Sequence, residues 1–263
     1  MSARSLALLG LATIALALAG CDDGGEPPAE TTPGETTAES GAKCDGREVT
    51  IDATEDADVI EGTKERDVIA AGGGDDRIET LGGADVICGG AGDDVLLGGI
   101  GPGDKIYGEE GDDIVGGGDG GDRVFGGPGD DVIAGEDGRD HLFGEEGDDR
   151  LTGNFSGDDL FGGPGDDLIA GDEGDDEIDG GEGDDRLSAG DGPDEVRGGE
   201  GDDSLFGGSG GDALRGDDGD DRLFGETGID RLVGDLGLDR LFGGEGRDRC
   251  DPGDQPGDLS LDC

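Results

Sequence analysis

The sequence predicts an all-β repeat fold, and three observations in one periodic region predict it. From residue 53 to residue 251 the chain divides into 22 units of nine residues, apart from one ten-residue unit at 98–107. Aspartate occupies position six of every unit, and Ile, Leu or Val occupies position eight of every unit except the last, which has Cys250 there. Such a fixed period is typical of stacked repeats. Glycine occupies position one except in the units that begin with Ala53, Ala71, Thr80 and Ala189.

The composition excludes some partners and leaves one competing interpretation of the acidic region. The chain of 263 residues contains 64 Gly, no Trp, and 71 acidic against 18 basic residues, which gives a formal charge of −53. This charge repels nucleic acid and anionic lipid surfaces and attracts cations. A disordered acidic tail is the competing interpretation. We reject it for the repeats, because a disordered tail has no reason to keep an aliphatic residue at one register through 22 units.

Each unit contains the residues for a turn followed by a short strand. A representative unit is Gly-Gly-Pro-Gly-Asp-Asp-Val-Ile-Ala at 126–134. Neighbouring glycines permit the positive φ angles of a tight loop and let carbonyl oxygens converge on one centre. Calcium is a hard cation that takes roughly six to eight oxygen ligands from carboxylates and carbonyls. In a strand of three residues, an apolar middle residue points inward while its neighbours point outward. The units therefore predict calcium-binding turns along a narrow core.

The unit pattern G-G-x-G-x-D-x-U-x, in which U is aliphatic, closely resembles the RTX, or haemolysin-type, calcium-binding repeat over residues 53–251. The resemblance implies a right-handed parallel β-roll, a solenoid of about 22 repeats in about 11 coils, with two units per coil. It implies a turn over the first six positions of each unit and a strand over the last three. It also implies several Ca²⁺ ions, each shared by aspartates eighteen positions apart, such as Asp131 with Asp149 and Asp140 with Asp158.

The first two units depart from this pattern at position four. Asp56 and Glu65 stand there in place of Gly. Because these units lack the flexible turn residue, Asp58 and Asp67 are left out of the predicted ligands, and residues 43–70 are predicted to cap the roll.

The remaining units, within 71–251, form the predicted calcium-binding roll, and residues 252–263 form the predicted C-terminal cap. Weak or missing local sites are expected at Ser156, which replaces a turn Gly, and at Pro102 in the ten-residue unit. By the resemblance, the metal ligands are the position-six aspartates Asp76, Asp85, Asp94, Asp104, Asp113, Asp122, Asp131, Asp140, Asp149, Asp158, Asp167, Asp176, Asp185, Asp194, Asp203, Asp212, Asp221, Asp230, Asp239 and Asp248.

Calcium is expected to be needed for folding. One buried aliphatic side chain per unit does not offset the conformational entropy lost by ordering nine residues. Repulsion among 71 acidic residues opposes compaction further. Cations that bind only the folded state supply the missing free energy. We therefore expect an expanded chain without calcium and a roll with it, with affinities of roughly 10⁻⁴ to 10⁻³ M per site.

The N-terminal segment predicts export. Arg4 precedes an apolar run at 6–19, which is shorter than the roughly 20 residues of a membrane-spanning helix. The run ends in Leu-Ala-Gly-Cys, which resembles a bacterial lipobox and implies a signal peptide at 1–20 and lipidation of Cys21; an ordinary signal peptide is the alternative. Residues 21–42 predict a disordered acidic tether. The predicted location is the cell envelope, periplasmic or at the cell surface, with membrane contact only through the lipid; secretion is the alternative.

Four cysteines remain besides Cys21, and an even number in an exported chain predicts disulfides. Four cysteines allow three pairings. Cys44 and Cys88 flank the start of the repeats, and Cys250 and Cys263 close their end. We therefore favour the local pairs Cys44–Cys88 and Cys250–Cys263.

The chain is predicted to be non-catalytic. Residues 207–211 match the nucleophile-elbow pattern G-x-S-x-G, but Ser209 falls at position three of a turn and the only histidine is His141. The mature segments outside the repeats, 22–52 and 252–263, are too short for a catalytic domain. A structural, adhesive or spacer role on the envelope is the leading hypothesis. The alternative is an accessory or calcium-dependent partner module of a secreted enzyme or toxin.

Aromatic residues recur at position nine, eighteen residues apart. They are predicted to form two ladders on opposite faces of the roll. We favour a stabilising role for these ladders; the alternative is docking of a protein partner or self-association. One ladder contains Tyr107, Phe125, Phe143 and Phe161, and the other contains Phe206, Phe224 and Phe242.

Overall fold

The computed structural model describes residues 29–31, 43–253 and 255–263. Over these ranges the chain forms strands and turns but no helix, and hence no helix that could cross a membrane. Parallel strands stack into two long sheets of 14 and 12 strands, which enclose one core. The predicted all-β parallel roll is confirmed. It has about twelve turns, slightly more than the eleven expected, because strands outside the repeats extend both ends.

The strands alternate between the two sheets along the chain, and two further strands form a separate hairpin. The 14-stranded sheet contains β1 (Ala29–Thr31), β5 (Asp58–Glu61), β7 (Arg77–Glu79), β9 (Val95–Leu97), β11 (Ile114–Asp119), β13 (Val132–Asp137), β15 (Arg150–Phe155), β17 (Leu168–Glu173), β19 (Arg186–Asp191), β21 (Ser204–Gly210), β23 (Arg222–Gly228), β25 (Arg240–Phe242), β26 (Glu245–Gly246) and β28 (Leu259–Leu261). The 12-stranded sheet contains β4 (Ile51–Asp52), β6 (Val68–Gly73), β8 (Val86–Ala91), β10 (Lys105–Glu110), β12 (Arg123–Pro128), β14 (His141–Glu146), β16 (Asp159–Pro164), β18 (Glu177–Glu182), β20 (Glu195–Glu200), β22 (Ala213–Asp218), β24 (Arg231–Leu236) and β27 (Arg249–Asp251). The antiparallel hairpin contains β2 (Lys43–Cys44) and β3 (Arg47–Glu48).

The strands are longer than the resemblance implied. A typical strand such as β14 has six residues, from position seven of one unit to position three of the next. Positions two and three continue the parallel ladder, since Gly127 lies opposite Glu145 and Pro128 opposite Glu146. The expected division into a six-residue turn and a three-residue strand was therefore wrong for most units, in which the turn proper is confined to positions four to six. It holds for β7, β9 and β25, which have three residues each.

The core is one side chain deep. Most strands pair with the strand eighteen residues further along, which places Ile133 opposite Leu151 and Leu151 opposite Ile169. Position-eight side chains from both sheets meet between them and are fully buried from Ile60 to Leu241. Because side chains alternate along a strand, position one also faces inward, where Ala71 and Ala189 are buried.

Additional elements close the ends of the roll. The β2–β3 hairpin and the residue after it place Cys44 and Val49 against Val68, Val86 and Cys88 in a small apolar cluster beside the main core. β1 lies within the segment predicted to be a tether and pairs in parallel with β5. The predicted signal peptide and Cys21 lie outside the described residues.

Two disulfides fasten these ends. They are Cys44–Cys88, with Cα atoms 5.8 Å apart, and Cys250–Cys263, with Cα atoms 5.9 Å apart. Both are the local pairs expected from the sequence.

The aromatic residues at position nine form two stacked ladders. In both, neighbouring ring centroids lie 4.8–5.0 Å apart with interplanar angles of 3–8°. The faces of neighbouring rings therefore stack on each other, and the guanidinium of Arg186 lies over the ring of Phe206 at the end of one ladder, 4.5 Å from its centroid. Stacked aromatic pairs contribute about 0.5–1.5 kcal/mol each beyond their burial, so the ladders tie successive coils together.

Candidate calcium-binding turns

The turns are so closely stacked that position four has almost no room for a side chain. Gly129 has a φ of +149°, and a Cβ atom there would lie 1.9 Å from the carbonyl oxygen of Gly111 in the preceding coil. Glycines at position two are similarly crowded, since a Cβ on Gly127 would lie 2.0 Å from the carbonyl oxygen of Glu109. Several units nevertheless carry a side chain at position two, as Glu109 and Asn154 do with φ of +78° and +77°. Because only glycine is comfortable with the position-four backbone, glycine there sets the spacing of the coils.

The position-six aspartates form a continuous ladder along each edge of the roll. The backbone N–H of Asp131 donates to Oδ1 of Asp149 at 2.8 Å, and that of Asp140 donates to Oδ1 of Asp158 at 2.8 Å. The structure thus brings together the aspartates that the resemblance pairs. One carboxylate oxygen of each aspartate thus accepts a hydrogen bond from the backbone of the preceding coil.

The second carboxylate oxygen, Oδ2, is buried without a hydrogen-bond partner. A buried unsatisfied acceptor is costly and calls for an explanation. The aspartates that share this feature are Asp76, Asp85, Asp94, Asp104, Asp113, Asp122, Asp131, Asp140, Asp149, Asp158, Asp167, Asp176, Asp185, Asp194, Asp203, Asp212, Asp221, Asp230, Asp239 and Asp248. They coincide with the ligands predicted from the sequence.

In most units whose position one is glycine, the unpaired Oδ2 faces a small space that is also lined by a backbone carbonyl. A Cβ atom built on Gly126 would lie 2.1 Å from Oδ2 of Asp131 and 2.7 Å from the carbonyl oxygen of Gly144. Glycine at position one therefore leaves open a space bordered by two oxygens from successive coils. Hard oxygen donors of this kind suit Ca²⁺, so the residues present fit the ion that the sequence implies.

Burial perturbs the ionisation of these carboxyl groups. It raises the pKa of Asp113 and Asp140 from 3.8 to about 7 and that of Asp158 to about 8, with repulsion from neighbouring carboxylates adding to the effect. The backbone hydrogen bond to each carboxylate acts in the opposite direction. Without a cation, the charged form is disfavoured in the folded turn.

Side chains alone do not build a complete metal cage. Among the described residues, no group of three or more His, Cys, Asp or Glu side chains is arranged to hold a metal ion. A calcium ion at these turns would take backbone carbonyls as ligands together with the carboxylates.

Comparison with known families agrees with this geometry. The model of the RTX calcium-binding nonapeptide repeat matches residues 52–87, 72–102, 103–124, 116–151, 125–160, 152–187, 179–214 and 215–250, which together span about three quarters of the chain. The chain belongs to the RTX calcium-binding repeat family. No curated protein matches it. RTX nonapeptide repeats bind calcium, and the turns described above are the positions at which this family's motif lies in the chain.

The first two RTX units satisfy their aspartates in another way. Oδ2 of Asp58 accepts hydrogen bonds from the backbone N–H and the hydroxyl of Thr54, at 2.9 and 2.8 Å. Oδ2 of Asp67 accepts the same pair from Thr63, at 2.7 and 3.0 Å. Each threonine therefore stabilises the Oδ2 atom that a bound cation would neutralise in the later turns. The sequence identified these units as atypical through position four but missed the threonines at position two.

Removing the two hydroxyl groups is expected to weaken this end of the roll. In the double variant Thr54→Val and Thr63→Val, each buried carboxylate loses one of its donors, which costs about 1–3 kcal/mol per site. Urea unfolding in saturating calcium measures the change. The control is Thr152→Val on the outer face of a central strand, which should change stability by less than about 0.5 kcal/mol. Equal stabilities for the double variant and the control would contradict the capping role.

The other irregular RTX units keep their aspartate ladder. In the ten-residue unit, the backbone N–H of Asp104 donates to Oδ1 of Asp122 at 2.6 Å. Ile100 of this unit lies at position three, with 69% of its surface exposed. Ser156 takes a φ of +80°, and Asp158 retains its bond to Asp140. Reduced calcium affinity at these two units stays a prediction.

Two residues from the weaker sequence patterns have ordinary surface contacts. Ser209 donates its hydroxyl to Asp191 at 2.7 Å, on the adjacent coil. Nδ1 of His141 lies 2.8 Å from Oδ2 of Asp159. Neither contact assembles a serine–histidine pair.

Proposed function

We propose that this chain is an exported, calcium-dependent β-roll whose position-six aspartates from Asp76 to Asp248 bind calcium and thereby complete folding. The observation that carries the proposal is the row of buried Oδ2 atoms without hydrogen-bond partners. Each opposes folding as a bare anion and favours it when neutralised by a bound cation. The formal charge of −53 acts in the same direction, because calcium screens repulsion that otherwise expands the chain.

The proposed role in the cell is non-catalytic, as a structural, adhesive or spacer element of the envelope. Support comes from the sequence, in which residues 1–20 are typical of a signal peptide and Cys21 ends a lipobox-like segment. A calcium-dependent roll suits an exported protein, because sites of millimolar affinity fill in extracellular calcium. In this proposal, the lipid on Cys21 anchors the roll, and the aromatic ladders stabilise its sheets.

Calcium titration of the full chain tests the proposal. Circular dichroism at pH 7.5 should give little β signal in excess EDTA and a strong β signal in millimolar calcium. Calorimetry should record binding over the same concentration range. Magnesium at equal concentration should not substitute, since it requires octahedral geometry and retains its waters. An identical β signal in EDTA would refute coupled folding, and an absence of binding heat would refute calcium binding.

A matched pair of variants assigns the sites. Asp131→Asn with Asp149→Asn should lower the number of calcium ions bound. Asp58→Asn with Asp67→Asn should leave that number unchanged, because threonine already satisfies both carboxylates. Equal losses in both variants would contradict the assignment of ligands.

A further inference from the structure

The two edges of the roll are chemically different at position five. Turns that lead into the 14-stranded sheet carry aspartate there through nine successive coils, and we call this side the acidic edge. Turns that lead into the 12-stranded sheet mostly carry Gly, Ala, Arg, Pro or Ile at the same position, and we call this side the mixed edge. The position-five residues of the acidic edge are Asp75, Asp93, Asp112, Asp130, Asp148, Asp166, Asp184, Asp202 and Asp220.

These aspartates form a second hydrogen-bonded ladder. The backbone N–H of Asp130 donates to Oδ1 of Asp112 at 2.9 Å, and the same bond recurs from Asp93 to Leu238 at 2.8–3.2 Å. It runs opposite to the position-six ladder, since position five accepts from the following coil and position six from the preceding one. Successive turns of the acidic edge are thus linked twice.

The position-five carboxylates are exposed, and each is adjacent in sequence to a position-six aspartate with a buried, unpaired Oδ2. A cation held at that Oδ2 on the acidic edge therefore has additional negative charge nearby, from its own unit and from the neighbouring coil. On the mixed edge, a cation has the same Oδ2, but Asp175 is the one position-five carboxylate on that side. Coulomb attraction between a divalent ion and one carboxylate roughly 8 Å away in a water-like dielectric changes affinity by about three- to tenfold.

We propose that the roll contains two classes of calcium site, and that the position-five aspartates make the acidic edge the tighter class, which fills first. This inference rests on the proposed calcium-binding function and concerns residues outside the position-six ligand row. Calcium that binds the acidic edge first would order the turns on that side, while the sites on the mixed edge still exchange calcium with the solvent. Because the extra attraction is between exposed charges, it weakens as ionic strength rises.

Variants on the same neighbouring coils test the contribution of each edge to calcium affinity. Asp202→Asn with Asp220→Asn removes two charges from the acidic edge and keeps the amide oxygen as hydrogen-bond acceptor. Gly211→Asp with Ile229→Asp copies the ladder onto the mixed edge, where both residues are exposed and a Cβ on Gly211 meets no atom closer than 3.4 Å. Glu61→Gln with Glu79→Gln removes the same charge as the first pair from exposed strand positions and is the control.

Calorimetric calcium titration of each full chain at low ionic strength is the measurement, with circular dichroism confirming that the calcium-loaded variant is folded. The wild type should show two classes of site. The acidic-edge pair should weaken binding by about three- to tenfold at the affected turns, the mixed-edge pair should strengthen it, and the control should match the wild type. Combining both designed pairs leaves net charge unchanged and should restore the number of tight sites.

A single class of sites in the wild type, or an acidic-edge pair that behaves like the control, would overturn the two-class inference while leaving calcium binding intact. Absence of any calcium heat in the wild type would instead overturn the proposed function. The two failures are therefore distinguishable.

Discussion

Replacing Gly129 by Val is expected to open the roll at that coil, with a loss of stability of about 3–5 kcal/mol from backbone strain and overpacking together. The residue lies at position four with a φ of +149°, where a β-branched side chain is not tolerated. Its Cβ would lie 1.9 Å from the carbonyl oxygen of Gly111, which is backbone and cannot move without separating the two coils. Urea unfolding in saturating calcium would show a lower midpoint. A split transition is also consistent, because each coil contacts only its neighbours.

Two controls isolate the cause of this effect. Pro128→Val places the same side chain one residue earlier, at an exposed position of the same strand end, and should change stability by less than about 0.5 kcal/mol. Gly129→Ser should lie between, because Ser156 occupies position four of its unit by adopting a φ of +80°. If the Val and Ser variants were equally stable, close stacking at position four would not be what sets the coil spacing.

The stacked core and the carboxylate ladders could be predicted from the sequence because a solenoid converts sequence period into spatial register. Once two nine-residue units make one coil, residues eighteen apart must face each other. Asp131 with Asp149, Ile133 with Leu151 and Phe125 with Phe143 all meet in this way. The two disulfides follow for a related reason, since both join segments at an end of the stack.

Contacts between individual atoms could not be predicted from the sequence period. Thr54 and Thr63 stand at position two, where most other units carry Gly or an acidic residue. Their hydroxyls reach Oδ2 only because the turn folds back on itself. The strands are longer than expected because positions two and three continue the parallel ladder, although glycine is frequent at position two. The position-five asymmetry was present in the sequence and is visible only when odd and even units are separated.

In the absence of calcium, lowering the pH from 8 to 5 is expected to favour the roll. The pKa of the position-six carboxyls is raised by burial to about 6 for Asp149, about 7 for Asp131 and about 8 for Asp158, against 3.8 ordinarily. A raised acid pKa means that the folded state binds protons that the unfolded state has already released. Stability is therefore gained as pH falls from about 8 towards 4 and lost as pH rises through the folded pKa. Circular dichroism in EDTA should show the β signal rising as the pH falls.

The midpoint of this transition identifies the groups responsible. Carboxylates with ordinary pKa values protonate only near pH 4, close to the isoelectric point of about 4.1, so general loss of charge would place the midpoint there. Protonation at the turns places it near 6–7 instead. Asp131→Asn, Asp149→Asn and Asp167→Asn together imitate the protonated state on three successive turns of one edge. This variant should be more folded than wild type in EDTA at pH 7.5 and should bind fewer calcium ions. A variant that is less folded in EDTA would contradict the view that unneutralised turn carboxylates hold the chain open.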